Sequence, residues 1–198
     1  MNKVLYFLFF ALIILGCSKD ELEYQNDFDK SYKTWLQFDK NNKSYSYTYQ
    51  ISSWVGITSH TTITVENNQI TKRAFQYFRI ASKTIPESGW TKQLAIEALK
   101  EIGYTEDEIQ SSFGNEVVDK LQWIENKENL GNHANPQQLM TLEQIYTKAK
   151  NEWIVKRSNA TIYFETKNNG MISIAGYVPE KCIDDCFNGI EIVEIKGL

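Results

Sequence analysis

The chain has 198 residues and a formal charge of −4, with 42% apolar, 13% aromatic and 23% charged residues. That length fits one domain with little beyond it, and the composition excludes a disordered, collagenous or many-span membrane chain. The 21 basic residues form no long cluster and face 25 acidic ones, which argues against duplex nucleic acid as a partner.

The first residues, Met1-Asn2-Lys3, precede an unbroken apolar run from Val4 to Leu15, followed by Gly16-Cys17-Ser18. One basic residue and a run of this length make a signal-peptide core, short of the roughly 20 apolar residues that a spanning helix needs. Ile14-Leu15-Gly16-Cys17 resembles the bacterial lipoprotein signal, in which the Cys thiol takes a diacylglycerol and the peptide is cut just before it. The resemblance implies a signal peptide over 1–16, a mature chain that begins at lipidated, palmitate-bearing Cys17, and a membrane anchor without a spanning helix. Ser18-Lys19-Asp20-Glu21 resembles the export tag of Bacteroidota lipoproteins displayed outside the outer membrane, with a periplasmic orientation as the alternative.

With Cys17 lipidated, Cys182 and Cys186 remain as a pair in an oxidising compartment. A disulfide between them would close a tight loop and contribute roughly 2 to 3 kcal/mol, less any strain. Their spacing is one residue longer than a C-x-x-C redox pair, and no βαβ pattern precedes it; a structural disulfide is the expectation, with free thiols or metal as the alternative.

Residues 17–30 are mostly polar and read as a tether, and 31–198 as a single domain. Tyr32, Trp35, Leu36 and Phe38 fit a first helix packed on that domain. From Tyr45 the period becomes two, with Tyr45, Tyr47, Tyr49, Ile51 and Val55 on one face and Trp54 on the other, a half-buried strand whose Tyr stripe suits core packing better than sugar stacking. Thr61–Val65 and Ile70 to Ile80 predict two further strands around an Asn67-Asn68 turn, with Phe75 and Tyr77 as aromatic anchors. A helix over Leu94, Ala95, Ala98, Leu99 and Ile102 ends at Gly103, and Thr105 with Glu108 caps a short helix towards Phe113. The region 85–130 is thus open to being a helical insertion. Val117, Val118, Leu121 and Ile124 fit a continuing helix, with a strand left open by Trp123 and its polar flanks.

Thr141 and Gln144 satisfy a capping box, and Leu142, Ile145, Tyr146, Ala149 and Trp153 give one apolar helix face. Lys167-Asn168-Asn169-Gly170 then predicts a hairpin turn between strands over 160–165 and 171–178, and Ile190 to Ile195 a closing strand. Strands, helices, strands in that order predict an α+β domain, its antiparallel sheet built from an N-terminal meander and C-terminal strands and packed with helices from the middle of the chain.

Chemistry-bearing patterns are sparse. His60 and His133 belong to no spaced metal motif, and nothing like G-x-S-x-G marks a nucleophile. Asp184 and Asp185 offer oxygen ligands that would suit Ca²⁺, though the order of a calcium loop is absent, and no other cofactor is expected. Glu97, Glu101, Glu106, Asp107 and Glu108 would serve a glycosidase-like hydrolase only if two of them flanked a cleft. Lys72-Arg73 and Lys156-Arg157 read as solvated edges.

Ser46-Tyr47-Thr48-Tyr49, the strand Thr61–Val65 with Asn67-Asn68, and Thr141–Tyr146 ahead of a strand hairpin resemble a family of small bacterial, Bacteroidota-type lipoproteins of unknown function, over residues 35–195. The family supplies no catalytic residues to carry over, and where it places cysteines after the first strand this chain has Ser52, Ser53 and Trp54. The expectation is a lipid-anchored envelope protein acting as a non-catalytic binding or assembly module towards an envelope or extracellular protein or glycan. Its contact surface is expected to include Trp54, Trp90, Asp184 and Asp185. A surface glycan-binding module and a small secreted hydrolase with acidic catalytic residues are the alternatives.

Overall fold

The computed structural model describes residues 22–134 and 138–198, so the expected signal peptide and Cys17 lie outside the described residues. The described chain is an α+β domain around an open antiparallel sheet of eight strands. Helix α1 (Gln25–Asn41) leads into β1 (Ser44–Ser52), β2 (Ile57–Glu66), β3 (Gln69–Ile80) and the short β4 (Lys83–Thr84). Helices α2 (Lys92–Glu101), α3 (Glu106–Ser112) and α4 (Val117–Leu121) follow, then β5 (Gln122–Asn126), α5 (Leu142–Lys148), β6 (Ala160–Glu165), β7 (Ile174–Pro179) and β8 (Asn188–Gly197). The order across the sheet is β4-β3-β2-β1-β8-β7-β6, and β5 also pairs with β3. The C-terminal strands thereby join the meander through the pairing of β8 with β1.

The ordered domain begins earlier than composition suggests. Leu22 already bridges Val155, and α1 starts within the stretch expected to be a tether. Polar residues mask a helical stripe there: Phe28, Ser31 and Trp35 are buried against the sheet, and Tyr24, Tyr32 and Phe38 flank them.

The Tyr stripe of β1 is core. Tyr45, Tyr47 and Tyr49 are buried on the sheet face that α1 and α5 cover, beside Ile63 and Val65 of β2 and Ile190 and Ile192 of β8. Their hydroxyls do not go unpaired, as burial requires. Tyr47 donates to the Met140 carbonyl at 2.5 Å and Tyr45 accepts from the Leu142 N–H at 3.0 Å, so two strand residues grip the start of α5. Burial pushes the Tyr45 phenol up to about 12. Tyr146 of α5 reaches back to Ser31 Oγ at 2.7 Å and accepts from the Ile172 N–H at 3.0 Å. The Thr141–Gln144 and Thr105–Glu108 capping boxes are both present.

A second core cluster gathers Trp90, just ahead of α2, and Ala95, Ala98, Leu99, Ile109, Val117 and Leu121 from α2, α3 and α4 against Ile80 at the end of β3. The predicted helix over 117–124 divides at Leu121: α4 stops there and β5 pairs Trp123 with Phe75 and Glu125 with Arg73. The β2–β3 turn is Asn67-Asn68, both with positive φ, and Asn169-Gly170 has the same backbone in the β6–β7 connection. β1 ends at Ser52, short of Trp54 and Val55, which occupy the turn to β2 closed by Ser53 N–H to Ile57 carbonyl (2.8 Å) and Gly56 N–H to Ser53 carbonyl (3.1 Å).

Candidate functional site

Antiparallel pairing gives the sheet two unlike ends. One end holds the β2–β3 turn at Asn67-Asn68, the Lys167–Gly170 turn and the last residues of β8, and its turns are polar. The other holds the β1–β2 turn, the β3–β4 turn bonded to it through the Ala81 N–H on the Gly56 carbonyl, the β7–β8 loop with both cysteines and the start of β6. Exposed apolar groups collect there: Trp54 is 75% exposed, Val55 and Ile51 lie beside it, and Ile183 in the cysteine loop is fully exposed.

The local cause is a divergence of strands. β1 stays beside β8 only as far as Gln50 opposite Glu191, while β8 remains on β7 back to Asn188. The wedge between them is a cleft of about 370 Å³ lined by Gln50, Ile51, Ser52, Ser53, Asp185, Phe187, Gly189, Ile190 and Glu191. Gln50 Nε2 donates to Glu191 Oε1 across its floor at 2.7 Å. Phe187 forms one wall by lying on the facing pair Gly176 and Gly189, and meets Tyr163 edge to face at 6.3 Å. A Cβ at Gly176 would sit 2.4 Å from the Phe187 ring, so the ring's seat depends on these two glycines.

Cys182 and Cys186 are disulfide-paired with Cα atoms 6.2 Å apart, within the range such a bond spans. Asp184 and Asp185 are exposed between them; the Asp185 N–H donates to Asp184 Oδ1 at 3.0 Å, and Asp185 faces the cleft. Among the described residues no group of three or more His, Cys, Asp or Glu could hold a metal ion. Trp54, Asp184 and Asp185 are therefore brought to one end, but Trp90 is not. It is 4% exposed, and its indole N–H donates to the Tyr77 carbonyl at 2.7 Å in the second core cluster. Its place on the expected contact surface is corrected by that burial.

The acidic residues of the helical region are occupied separately. Glu101 accepts from Ser82 Oγ at 2.6 Å and pairs with Lys83, Glu106 pairs with Lys100 at 2.9 Å, and Glu108 caps Thr105. The Ser82 hydrogen bonds, Lys100 and Thr105 hold the respective carboxyls below their usual range.

One polar constellation escaped the sequence reading. Arg73, expected on a solvated edge, is 3% exposed and makes a two-pronged pair with fully buried Glu125, Nε to Oε2 at 2.8 Å and Nη2 to Oε1 at 2.9 Å. Glu125 also accepts the Gly131 N–H, the His133 N–H and a contact from His133 Nδ1 at 3.0 Å. The His133 ring stacks on Trp123 at 4.3 Å, and the Arg73 guanidinium lies over the same indole at 4.8 Å. Burial opposes ionisation of Glu125, yet the Arg73 guanidinium and the His133 and Gly131 donors outweigh it and hold the carboxyl at about 2. Those partners close the loop after β5 onto the sheet. A carboxylate set against an imidazole is a general-base geometry, but this one is committed to an arginine and two backbone amides. The signal available in sequence was parity alone: Arg73 shares its strand face with Phe75. His60 stacks on Phe78 at 4.3 Å, where burial lowers its pKa.

No helix among the described residues is long and apolar enough to cross a membrane. Comparison of the chain with protein-family models, curated proteins and solved structures finds no match.

Proposed function

We propose that this protein is a lipid-anchored component of the bacterial envelope, related to small Bacteroidota-type lipoproteins, whose domain acts as a non-catalytic binding or assembly module. In this reading Cys17 carries the acyl chains, the protein sits in the outer membrane with its domain outside the cell, and the disulfide holds the cysteine loop in place. The observation that carries it is the inequality of the two sheet ends: Trp54, Val55, Ile51 and Ile183 crowd one end, against polar turns and Leu198 at the other. Exposed apolar groups gathered in one place mark a contact surface. A disulfide-pinned loop and a hairpin tip supply it with little ordering cost.

The cleft has acidic and amide side chains in Gln50, Asp185 and Glu191, as a glycan site would, but its aromatic wall is a Phe ring seated on glycines rather than an open Trp or Tyr face. The hydrolase alternative draws no support from Glu101, Glu106 and Glu108, the first two held in ion pairs and the third in a helix cap.

The reading is tested with a photoreactive side chain placed at Trp54 and, separately, at exposed Gln69 on the opposite end, in intact cells. Light-dependent adducts, to protein, glycan or lipid, should form at position 54 and not at 69. Equal yields at both positions, or none at either, would overturn it.

A further inference from the structure

The end of the sheet that bears Trp54 is also the end at which the described chain begins. Leu22 bridges Val155, the Glu23 N–H donates to the Ile154 carbonyl at 3.1 Å, and the Tyr24 hydroxyl reaches the Ile162 carbonyl at 3.3 Å. Residue 22 is thereby fixed near the start of β6. That start is tied to the cysteine loop through the Glu180 N–H on the Asn159 carbonyl at 2.8 Å. From there α1 runs the length of the sheet and delivers Asn42 against Gly197 at the opposite end.

Two lengths then coincide. Leu22 lies five positions after Cys17, with four residues between them, and five extended residue steps reach at most about 17 Å. In the order β6-β7-β8-β1-β2 the Trp54 turn lies three to four strands from β6, about 14 to 19 Å at the usual strand spacing. A plane that holds the acyl chains of Cys17 therefore passes within reach of the hairpin tip. What the tip presents to it is an indole at 75% exposure with Val55 beside it, and a fully exposed Ile183 in the neighbouring loop. Indole rings favour the membrane–water interface, and apolar side chains beside them add buried area there. The β3–β4 turn lies at this end too, joined to the Trp54 turn by the Ala81 N–H on the Gly56 carbonyl at 3.2 Å. Lys83 and Glu101 there, with Lys181, Glu180, Asp184 and Asp185, leave the charge of this end mixed, so attraction to anionic headgroups is not the source of the contact.

We propose that Trp54, with Val55 and Ile183, docks into the interfacial layer of the same bilayer that holds the acylated Cys17, which stands the strands along the membrane normal and projects the Asn67-Asn68 turn away from it. This names the partner of the contact surface and rests on the reading that Cys17 is acylated. β1 is nine residues long, so the Asn67-Asn68 end stands about 30 Å out.

The test uses the full mature protein from membranes, incorporated into phosphatidylcholine vesicles whose acyl chains carry bromine, a contact quencher of indole emission. Of the five tryptophans, Trp35, Trp90 and Trp153 are buried and Trp123 is stacked against Phe75 and His133, so Trp54 is the one a lipid can touch. Emission should fall in brominated relative to plain vesicles, and Trp54→Phe should abolish that fall. Gln69→Trp in the Trp54→Phe background should stay unquenched, and adding anionic lipid should change none of this. Acylated protein whose emission is the same in both vesicles, or quenching at position 69 equal to that at 54, would overturn the docking and leave the anchor standing. A mass spectrum of the N-terminal peptide without acyl chains on Cys17 would overturn the anchor and the docking together.

Discussion

Replacing Glu125 by Leu should be among the most damaging single changes in the domain. The wild-type carboxylate is fully buried and accepts both prongs of Arg73, itself 3% exposed, together with the Gly131 and His133 amides. Among the described residues, leucine leaves the guanidinium buried beneath Trp123 with the His133 carbonyl, at 2.8 Å, as its one remaining hydrogen-bond partner. Stranding one member of a buried ion pair costs about 3 to 5 kcal/mol, a large share of the stability of a domain this size. Removing both charges with Arg73→Met and Glu125→Leu should recover much of that, because desolvation of two ions disappears with their attraction. The residual cost, about 1 to 3 kcal/mol, comes from amides deprived of their acceptor. Urea denaturation of the wild type, both single variants and the double variant gives the coupling energy directly. A cost under about 1 kcal/mol for Glu125→Leu, or two single costs that simply add, would contradict a stranded buried charge. The pH dependence has a definite sign. The carboxyl is held at about 2 in the fold against 4.5 in the open chain. The contribution of the pair is therefore complete above about 4.5 and is lost as the pH falls towards 2. Glu125→Leu should flatten the stability profile over that acid window and leave its shape above it unchanged.

Two further variants test the core. Tyr47→Phe strands the buried Met140 carbonyl and should cost about 1 to 3 kcal/mol in the same denaturation assay; a cost below about 0.3 kcal/mol would mean that water replaces the hydroxyl. Gly189→Ala places a methyl 2.2 Å from the Ala175 carbonyl oxygen and 2.8 Å from the Phe187 ring, so it should destabilise by about 1 to 3 kcal/mol and unseat the ring. Phe187→Ala in that background should relieve only the ring's share, since the carbonyl clash belongs to the backbone. Full recovery of stability in the double variant would contradict this.

The sheet was legible in sequence because its signals are local. Tyr45, Tyr47 and Tyr49 alternate with polar residues, Asn67-Asn68 and Asn169-Gly170 supply turn chemistry, and Thr105 and Thr141 carry their capping partners three residues on. What escaped depends on contacts distant in sequence. Arg73 looked like one half of an exposed basic dipeptide until Glu125, 52 residues later, was brought opposite it by β5. The helix from Gln25 was hidden because Asp27, Asp29, Lys30 and Lys33 fill the turns between Phe28, Ser31 and Trp35, and tilt the average composition towards a tether. Trp54 and Trp90 are indistinguishable as isolated residues; one sits in a two-strand turn and the other under three helices. The shared end of hairpin tip, cysteine loop and Leu22 is a property of strand order, which no single segment encodes.

The anchor is the premise on which position and orientation rest, and the intact mass of the protein extracted from host membranes measures it directly. A mature chain that starts at Cys17 and carries a diacylglycerol, with or without an amide-linked acyl group, is the predicted result. A chain that retains residues 1–16, or that is cut elsewhere and bears no lipid, would contradict it.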